Sequence, residues 1–322
     1  MKVSIIIPAY NVDNYIFRAL ESCINQTHEN IEIIVIDDGS TDNTYEVAKK
    51  YAQLDRRIFV CQQENSGVSS ARNYALDLCS SDYVVFLDSY DWIEPNTIEV
   101  LLKTLPRDDK KYLVAVDTYF AYFGDNGIWK KKAPNIANSV NIESEEALLY
   151  IVRHKYKLRS ACYKLFSMEV IRDNNIRFNQ TITHGEDGLF VFEYLKCAER
   201  FVYSSDVLWN VLERPGSATK SPYNKSWLTS IDAVEKMIEY DNSQKLHVQL
   251  KNYRVQRMVL VLCQAIINMD QTREDIDFLR KRLHKECIRY MIQESSIKNK
   301  IFYLFVSYFP KKLVAWYCMN KE

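Results

Sequence analysis

Apolar and polar residues alternate in blocks along the first hundred positions. Val3–Pro8 and Ile31–Ile36 are near-continuous apolar runs, Ile58–Gln62 and Tyr83–Leu87 are shorter ones, and each gives way to polar residues. Short runs of β-formers closed by turn residues predict buried strands. Pro8, which has no N–H to give a ladder, is expected to end the first. Between the strands, apolar residues recur at helical spacing. Tyr15, Ile16, Ala19, Leu20, Cys23 and Ile24 form one such face, and Val68, Ala71, Ala75, Leu78 and Cys79 form another. A further helix runs to about Leu54, opened by the capping cluster Ser40–Asp42. Strands alternating with helices predict βαβ units, a mainly parallel sheet and right-handed crossovers.

The pattern then changes. Leu113–Phe123 and Ile128–Lys132 flank Gly124-Asp125-Asn126-Gly127, which predicts a hairpin. From about Val140 the chain reads as mostly helical. Ser144–Val152 and Asp187–Ala198 are the candidates, the second opening with acids that suit the positive end of a helix. Beyond Ser221 only helices are expected, over Ser226–Tyr240, Val248–Met269 and Thr272–Gln293. The stretch Ile297–Glu322 combines Phe302, Tyr303, Phe305, Tyr308, Phe309, Trp316 and Tyr317 with five lysines and one acid. Amphipathic, basic, aromatic segments lie in the headgroup region of anionic membranes, so this tail is expected to meet a membrane surface as two short helices split at Pro310. The competing expectation is a terminal cap on the core.

Composition narrows the classes. At 322 residues with 47% hydrophobic and 26% charged positions, the chain is globular and large enough for two or three subdomains. Basic and acidic residues balance at 42 each, so no global field draws it to nucleic acid. Eight cysteines contain no Cys-x-x-Cys pair, and several lie in apolar stretches, as free thiols do in a reducing cytosol. No apolar run approaches the ~20 residues needed to cross a bilayer. A cytoplasmic protein, peripheral at most, is the expectation, and the helices between Ser226 and Gln293 offer a surface for self-association.

Candidate chemistry lies where the predicted strands end. Four loops are expected to converge there: Pro8-Ala9-Tyr10-Asn11, Asp37-Asp38-Gly39-Ser40, Glu64-Asn65-Ser66-Gly67, and Asp88-Ser89-Tyr90-Asp91-Trp92. In open α/β sheets the ligand sits beyond the carboxyl ends of the strands. Tyr10 can stack a base, Asp38 can accept a ring N–H, and Arg72 can offer paired donors to a phosphate or a base carbonyl. Asp88 and Asp91 can hold a divalent cation or move protons. The set suits a nucleotide, although neither GxGxxG nor a P-loop is present.

These residues resemble a known family. Val3–Asn11, Ile36–Asp42, Gln63–Asn73 and Phe86–Ser89 together look like family 2 glycosyltransferases, with thinner likeness at Tyr163–Phe166, Ile176–Phe178 and Gly185-Glu186-Asp187. The resemblance implies a GT-A fold: an α/β, Rossmann-like, mostly parallel sheet with helices on both faces, followed by a C-terminal helical region. It also implies inverting transfer from a UDP-sugar to a glycan or lipid-linked acceptor in bacterial surface polysaccharide synthesis. Residues 1–100 would be the nucleotide-sugar-binding half, 101–221 the acceptor-binding half, and 222–322 the helical region with the basic tail. Pro8, Ala9, Tyr10, Asn11, Asp38, Gly67, Arg72, Asp88, Ser89 and Arg214 would bind the nucleotide sugar. Trp92, His184 and Glu186 would meet the acceptor, and Asp187 would be the general base.

Two positions depart from the family pattern. Tyr90 stands where the family has the acid that commonly ligates Mn²⁺ or Mg²⁺, and a neutral phenol is a poor ligand for either. Asp88 and Asp91 remain as metal-ligand candidates. Leu212 stands where members often carry arginine or histidine ahead of Arg214. The alternative expectation is therefore a non-catalytic, nucleotide-sugar-binding partner subunit. A receiver-type signalling module, suggested by a strand ending in Asp37-Asp38, is disfavoured by the acids and helices that continue well past one such domain and by Asp187 and the helical tail, which it leaves unexplained.

Overall fold

The computed structural model describes residues 1–108, 111–124, 127–132, 140–153, 159–213, 222–267, 273–291, 301, 305–306, 308–309 and 314. The first element is β1 (Val3–Ala9), which runs through Pro8 to Ala9 rather than ending at the proline. Its pairing with β2 (Ile31–Asp37) continues to Ala9↔Asp37, whereas pairing on the other side, with β4 (Tyr83–Phe86), stops at Ile6↔Phe86. Pro8 lies past the end of that second ladder, where a missing N–H costs little.

Helices α1 (Ile16–Ile24), α2 (Thr44–Leu54) and α3 (Val68–Leu78) alternate with these strands and with β3 (Ile58–Gln62). The four strands are parallel in the order β3-β2-β1-β4. Two steps to one side of β1 and a return to the other place the topological switch between β1 and β4. Right-handed crossovers then put α1 and α2 on one face and α3 on the other. Burial follows that division. Val3, Ile5, Ile7, Val85 and Leu87 pack with Ile16, Leu20 and Ala48 in one cluster. On the other face Phe86 meets Phe166, Phe178 and Phe190 edge-on with centroids 5.7, 5.1 and 5.6 Å away. Alternate strand residues thus serve two cores.

The sheet continues through β5 (Trp92–Ile93), β6 (Tyr112–Gly124), β7 (Gly127–Lys132), β8 (Val140–Glu143), β9 (Lys164–Ser167) and β10 (Arg200–Glu213). Its full order is β3-β2-β1-β4-β9-β6-β10-β5, with β7 on β6 and β8 on β10. The expected hairpin is present as antiparallel β6 and β7, whose register closes at Gly124↔Gly127; its two central residues lie outside the described set. Helices α4 (Thr97–Thr104), α5 (Ser144–Arg153), α6 (Met168–Asp173) and α7 (Glu186–Cys197) complete this region.

The reading of Val140 onward as mostly helical is corrected by β8, β9 and β10. Strand β10 buries Phe201, Tyr203 and Trp209, yet Ser204-Ser205-Asp206 interrupts its apolar run. The register with β6 shifts there, between Tyr203 and Val207. The bulge hides the period-2 signal from sequence.

The chain divides into two compact units, residues 1–180 with 190–215, and residues 181–189 with 216–322. The second contains a short 3-10 turn at Lys225–Leu228, then α8 (Thr229–Glu239), α9 (Gln244–Ile267) and α10 (Arg273–Met291). Its core includes Trp227, Ile231, Met258, Leu262, Leu279 and Leu283. Most of the tail from 297 onward lies outside the described residues. Of those described, Val306 and Val314 are buried in the same core, and Tyr308 stacks on His284 at 4.3 Å. Among the described residues no helix is long and apolar enough to cross a membrane.

Candidate functional site

At the carboxyl end of β1, Ala9 accepts the amide of Asp38 at 2.8 Å, which joins the first two loops. Asn11 takes a left-handed backbone (φ 50°), and its side-chain oxygen accepts the amide of Thr41 at 2.8 Å. Tyr10, next to this tie, is 48% exposed, leaving its ring open to a ligand. Pro8 and Ala9 are buried beneath it.

Asp38 is only 4% exposed, and its carboxylate organises the third loop. One oxygen accepts the amide of Ser66 at 2.8 Å and the side-chain amide of Gln63 at 2.7 Å, and the other accepts the amide of Gly67 at 2.9 Å. Each carboxylate oxygen has two acceptor positions, so the oxygen facing Gly67 retains one. Gly39, beside it, has φ +71°, and a side chain there would meet the backbone nitrogen of Asn65 at 2.8 Å. The turn is closed tightly enough to require glycine.

Arg72 is carried on the second turn of α3 and is 3% exposed. Its guanidinium lies 5.1 Å from the Phe178 ring and donates to Asp88 at 3.1 Å. The second oxygen of Asp88 accepts the phenol of Tyr90 at 3.3 Å. Phe178 is fixed by a reciprocal pair with Asn73, in which the amide nitrogen of Asn73 donates to the Phe178 carbonyl and the Phe178 amide donates to Asn73, both at 2.8 Å. Gln63, Asn73 and Phe178 were not anticipated. Gln63 and Asn73 stand inside a recognised motif, but an amide side chain gives no sequence signal for its partner.

Asp91 differs from the expectation. It is 1% exposed, and its carboxylate accepts the amide of Leu212, on β10, at 2.8 Å. The pair expected to hold a divalent cation is thereby divided: Asp88 is engaged by Arg72 and Tyr90, while Asp91 serves the sheet. Among the described residues no group of three or more His, Cys, Asp or Glu is placed to hold a metal ion. A small divalent cation can be held by one or two carboxylates together with substrate phosphates, so of the expected pair Asp88 is the candidate ligand, its two oxygens engaged by Arg72 and Tyr90. Lys164 does not supply an accessible charge. It is fully buried, donating to the Ser160 carbonyl at 2.6 Å.

Ser89 is buried. Trp92 is half-buried, with the Arg18 guanidinium 5.0 Å and the Lys130 ammonium 5.5 Å from its ring. Glu94 pairs with Lys130 at 3.0 Å. Burial pushes the Glu94 carboxyl up, but hydrogen bonds from Asn210 and Lys130 outweigh this and hold it below the usual range. Arg214 lies outside the described residues.

His184, Glu186 and Asp187 belong to the second unit, in the turn that leads into α7. Glu186 and Asp187 occupy the first helical turn and are half-buried. The His184 ring stacks on Trp227 at 5.1 Å, and its Nδ1 lies 3.3 Å from the Ser226 hydroxyl. Burial and the nearby positive Arg257 lower its pKa from the ordinary 6.5 against an opposing hydrogen bond at Ser226, which favours the neutral imidazole.

Residues 4–174 match the sequence model described as Glycosyl transferase family 2. Over 248 residues the chain is 31% identical to Glycosyltransferase GlyA of Streptococcus pneumoniae serotype 4, covering 74% of this chain and 34% of GlyA. Over 231 residues it is 30% identical to the Minor teichoic acid biosynthesis protein GgaB of Bacillus subtilis, covering 70% of this chain and 25% of GgaB. The chain thus spans about a third or less of these two relatives. In fold it is similar to the crystal structure of S. aureus TarS 1-349 in complex with UDP-GlcNAc. The TM-score is 0.67 at 21% identity, covering 95% of this chain and 90% of that one. That likeness is one of fold, and it agrees with the expected GT-A architecture.

Proposed function

The chain belongs to glycosyl transferase family 2, and from that premise we propose that it transfers a sugar, with inversion, from a UDP-sugar to a glycan or lipid-linked acceptor of a bacterial surface polysaccharide. The observation that carries this reading is the cluster at the switch between β1 and β4. There Asp38 holds the Gly67 amide, Arg72 pairs with Asp88, and Tyr10 presents an exposed ring, each at or just past the carboxyl end of a parallel strand or on the helix that follows one. Tyr10 stacks the base, and Asp38 accepts its ring N–H through the acceptor position left on the oxygen that also holds Gly67. The buried guanidinium of Arg72 and the positive N-terminus of α3 face the diphosphate. Asp187 takes the proton of the acceptor hydroxyl as that oxygen attacks the anomeric carbon and the bond to the diphosphate breaks on the opposite side. Trp92 offers the acceptor an aromatic surface.

A divalent cation held by Asp88 and the diphosphate would stabilise charge on the leaving group; no step is assigned to it. The engagement of Asp88 by Arg72 and by Tyr90, which stands in place of the family's acid, favours a second reading, in which the chain binds the nucleotide sugar as a non-catalytic subunit. Calorimetric titration of UDP, with and without Mn²⁺, coupled to an assay of UDP release from UDP-GlcNAc, separates the two. Binding with release supports the transferase, and binding without release under either condition supports the second reading. No UDP binding would overturn both.

A further inference from the structure

We infer that Thr229 is a positioning residue for Asp187, acting through the turn that precedes α7. The inference rests on the reading of Asp187 as general base. Thr229 is the first residue of α8, directly after Leu228 at the cap position and the 3-10 turn Lys225–Leu228. No side-chain cap forms at that helix start. Instead its oxygen accepts the amides of Thr183 at 3.2 Å and His184 at 3.1 Å, while its proton goes to the Ser226 carbonyl at 2.7 Å. The Thr229 oxygen also lies 3.4 Å from the Thr183 hydroxyl, so most of its polar contacts are with a segment some forty-five residues away.

The same segment is gripped on its other sides. The His184 ring lies on Trp227, and its Nδ1 meets the hydroxyl of Ser226. Gly185 takes φ +90°, and a side chain there would come within 3.3 Å of the Ala233 methyl on α8. A larger residue there would be strained by that backbone angle and would press on the Ala233 methyl. Its far end is coupled to the helix, because the Gly185 carbonyl accepts the Leu189 amide at 3.1 Å as the first bond of α7. Asp187 lies inside that first bonded turn. A shift of the Thr183–Gly185 backbone is carried to its carboxylate, and a misplacement near 1 Å can cost on the order of a hundredfold in rate.

Thr229→Val keeps the side-chain shape and removes the hydroxyl; Thr229→Ser keeps the hydroxyl. With UDP-GlcNAc as the probe, Thr229→Val is expected to lower kcat for UDP release by about tenfold or more while KM and the calorimetric affinity for UDP stay constant. Hydrogen exchange at the amides of Thr183 and His184 should quicken by about tenfold, the size expected for one lost hydrogen bond. Thr229→Ser should restore both kcat and protection. An unchanged kcat in Thr229→Val would overturn the inference, as would a loss of UDP affinity parallel to the loss of kcat, or a Thr229→Ser variant no better than valine. Asp187→Asn, assayed alongside, separates the two levels. If it is inactive while Thr229→Val is fully active, the inference alone fails. If Asp187→Asn keeps its kcat, or the parent chain releases no UDP, the reading beneath it fails as well.

Discussion

Two regions of this molecule hold acidic side chains in place, and they do so by different means. At the strand ends of the first unit, Asp38 and Asp88 are themselves the connectors. Asp38 gathers the Ser66 and Gly67 amides and the Gln63 side chain, and Asp88 joins Arg72 to Tyr90. In the second unit the turn before α7 is held from outside by Thr229, Ser226 and Trp227, and Asp187 rides on it. The strand-end carboxylates are structural before they meet a ligand, so altering them damages fold and binding together. Asp187 follows its scaffold, which can be loosened while the carboxylate remains.

The largest separation between the regions is expected from Asp187→Asn. It should lower kcat for UDP release by about 10²–10⁴-fold with UDP affinity unchanged by calorimetry, since a lost general base costs about that much. Asp38→Ala should do the reverse. It leaves two backbone amides without their acceptor, so denaturant melts should show a loss of about 3 kcal/mol, and the remaining folded protein should fail to bind UDP. A third test concerns Tyr90. In the parent, Mn²⁺ should leave UDP affinity unchanged, whereas in Tyr90→Asp it should tighten it by about tenfold, or roughly 1.4 kcal/mol. A metal response of equal size in both would mean that the cation is held without an acid at position 90.

The smallest effect is a pH dependence confined to the second unit. The His184 imidazole has its pKa lowered by burial and by Arg257, so the unfolded chain binds the proton more readily than the folded one. The contribution of His184 to stability is therefore complete above about pH 6.5. It is lost as pH falls from there through the lowered folded value. Thermal melts from pH 7.5 to 5 should record that decline, and His184→Phe, which keeps a ring on Trp227, should flatten it.

The centre of the parallel half of the sheet was legible because burial on both faces leaves β1 and β2 as nearly unbroken apolar runs. The expected ends of β1, β2 and β4 lead into the loops of Tyr10, Asp38 and Asp88, and Ile58–Gln62 begins and ends where expected. Strand β10 was illegible because Ser204-Ser205-Asp206 breaks its alternation at a bulge, and pairing with β5, β6 and β8 holds it extended. Asp91 misled for a related reason. In sequence it is one of two acids on a turn; in the folded chain it is a buried acceptor for a strand more than a hundred residues away.

Local pattern alone determined the alternation of strands and helices, the loops that carry Tyr10, Asp38 and Asp88, the helix that carries Arg72, and the helix that opens at the Glu186-Asp187 pair. Those features depend on periodicity and turn chemistry within a few residues. Tertiary structure decided which carboxylates remain available to a ligand. Availability depends on the donors that other segments bring: Arg72 and Tyr90 to Asp88, Leu212 to Asp91, and Thr229 to the turn before Asp187. A hydrogen bond across a hundred residues leaves no period in the chain, because only the closing of the sheet brings donor and acceptor within 3 Å.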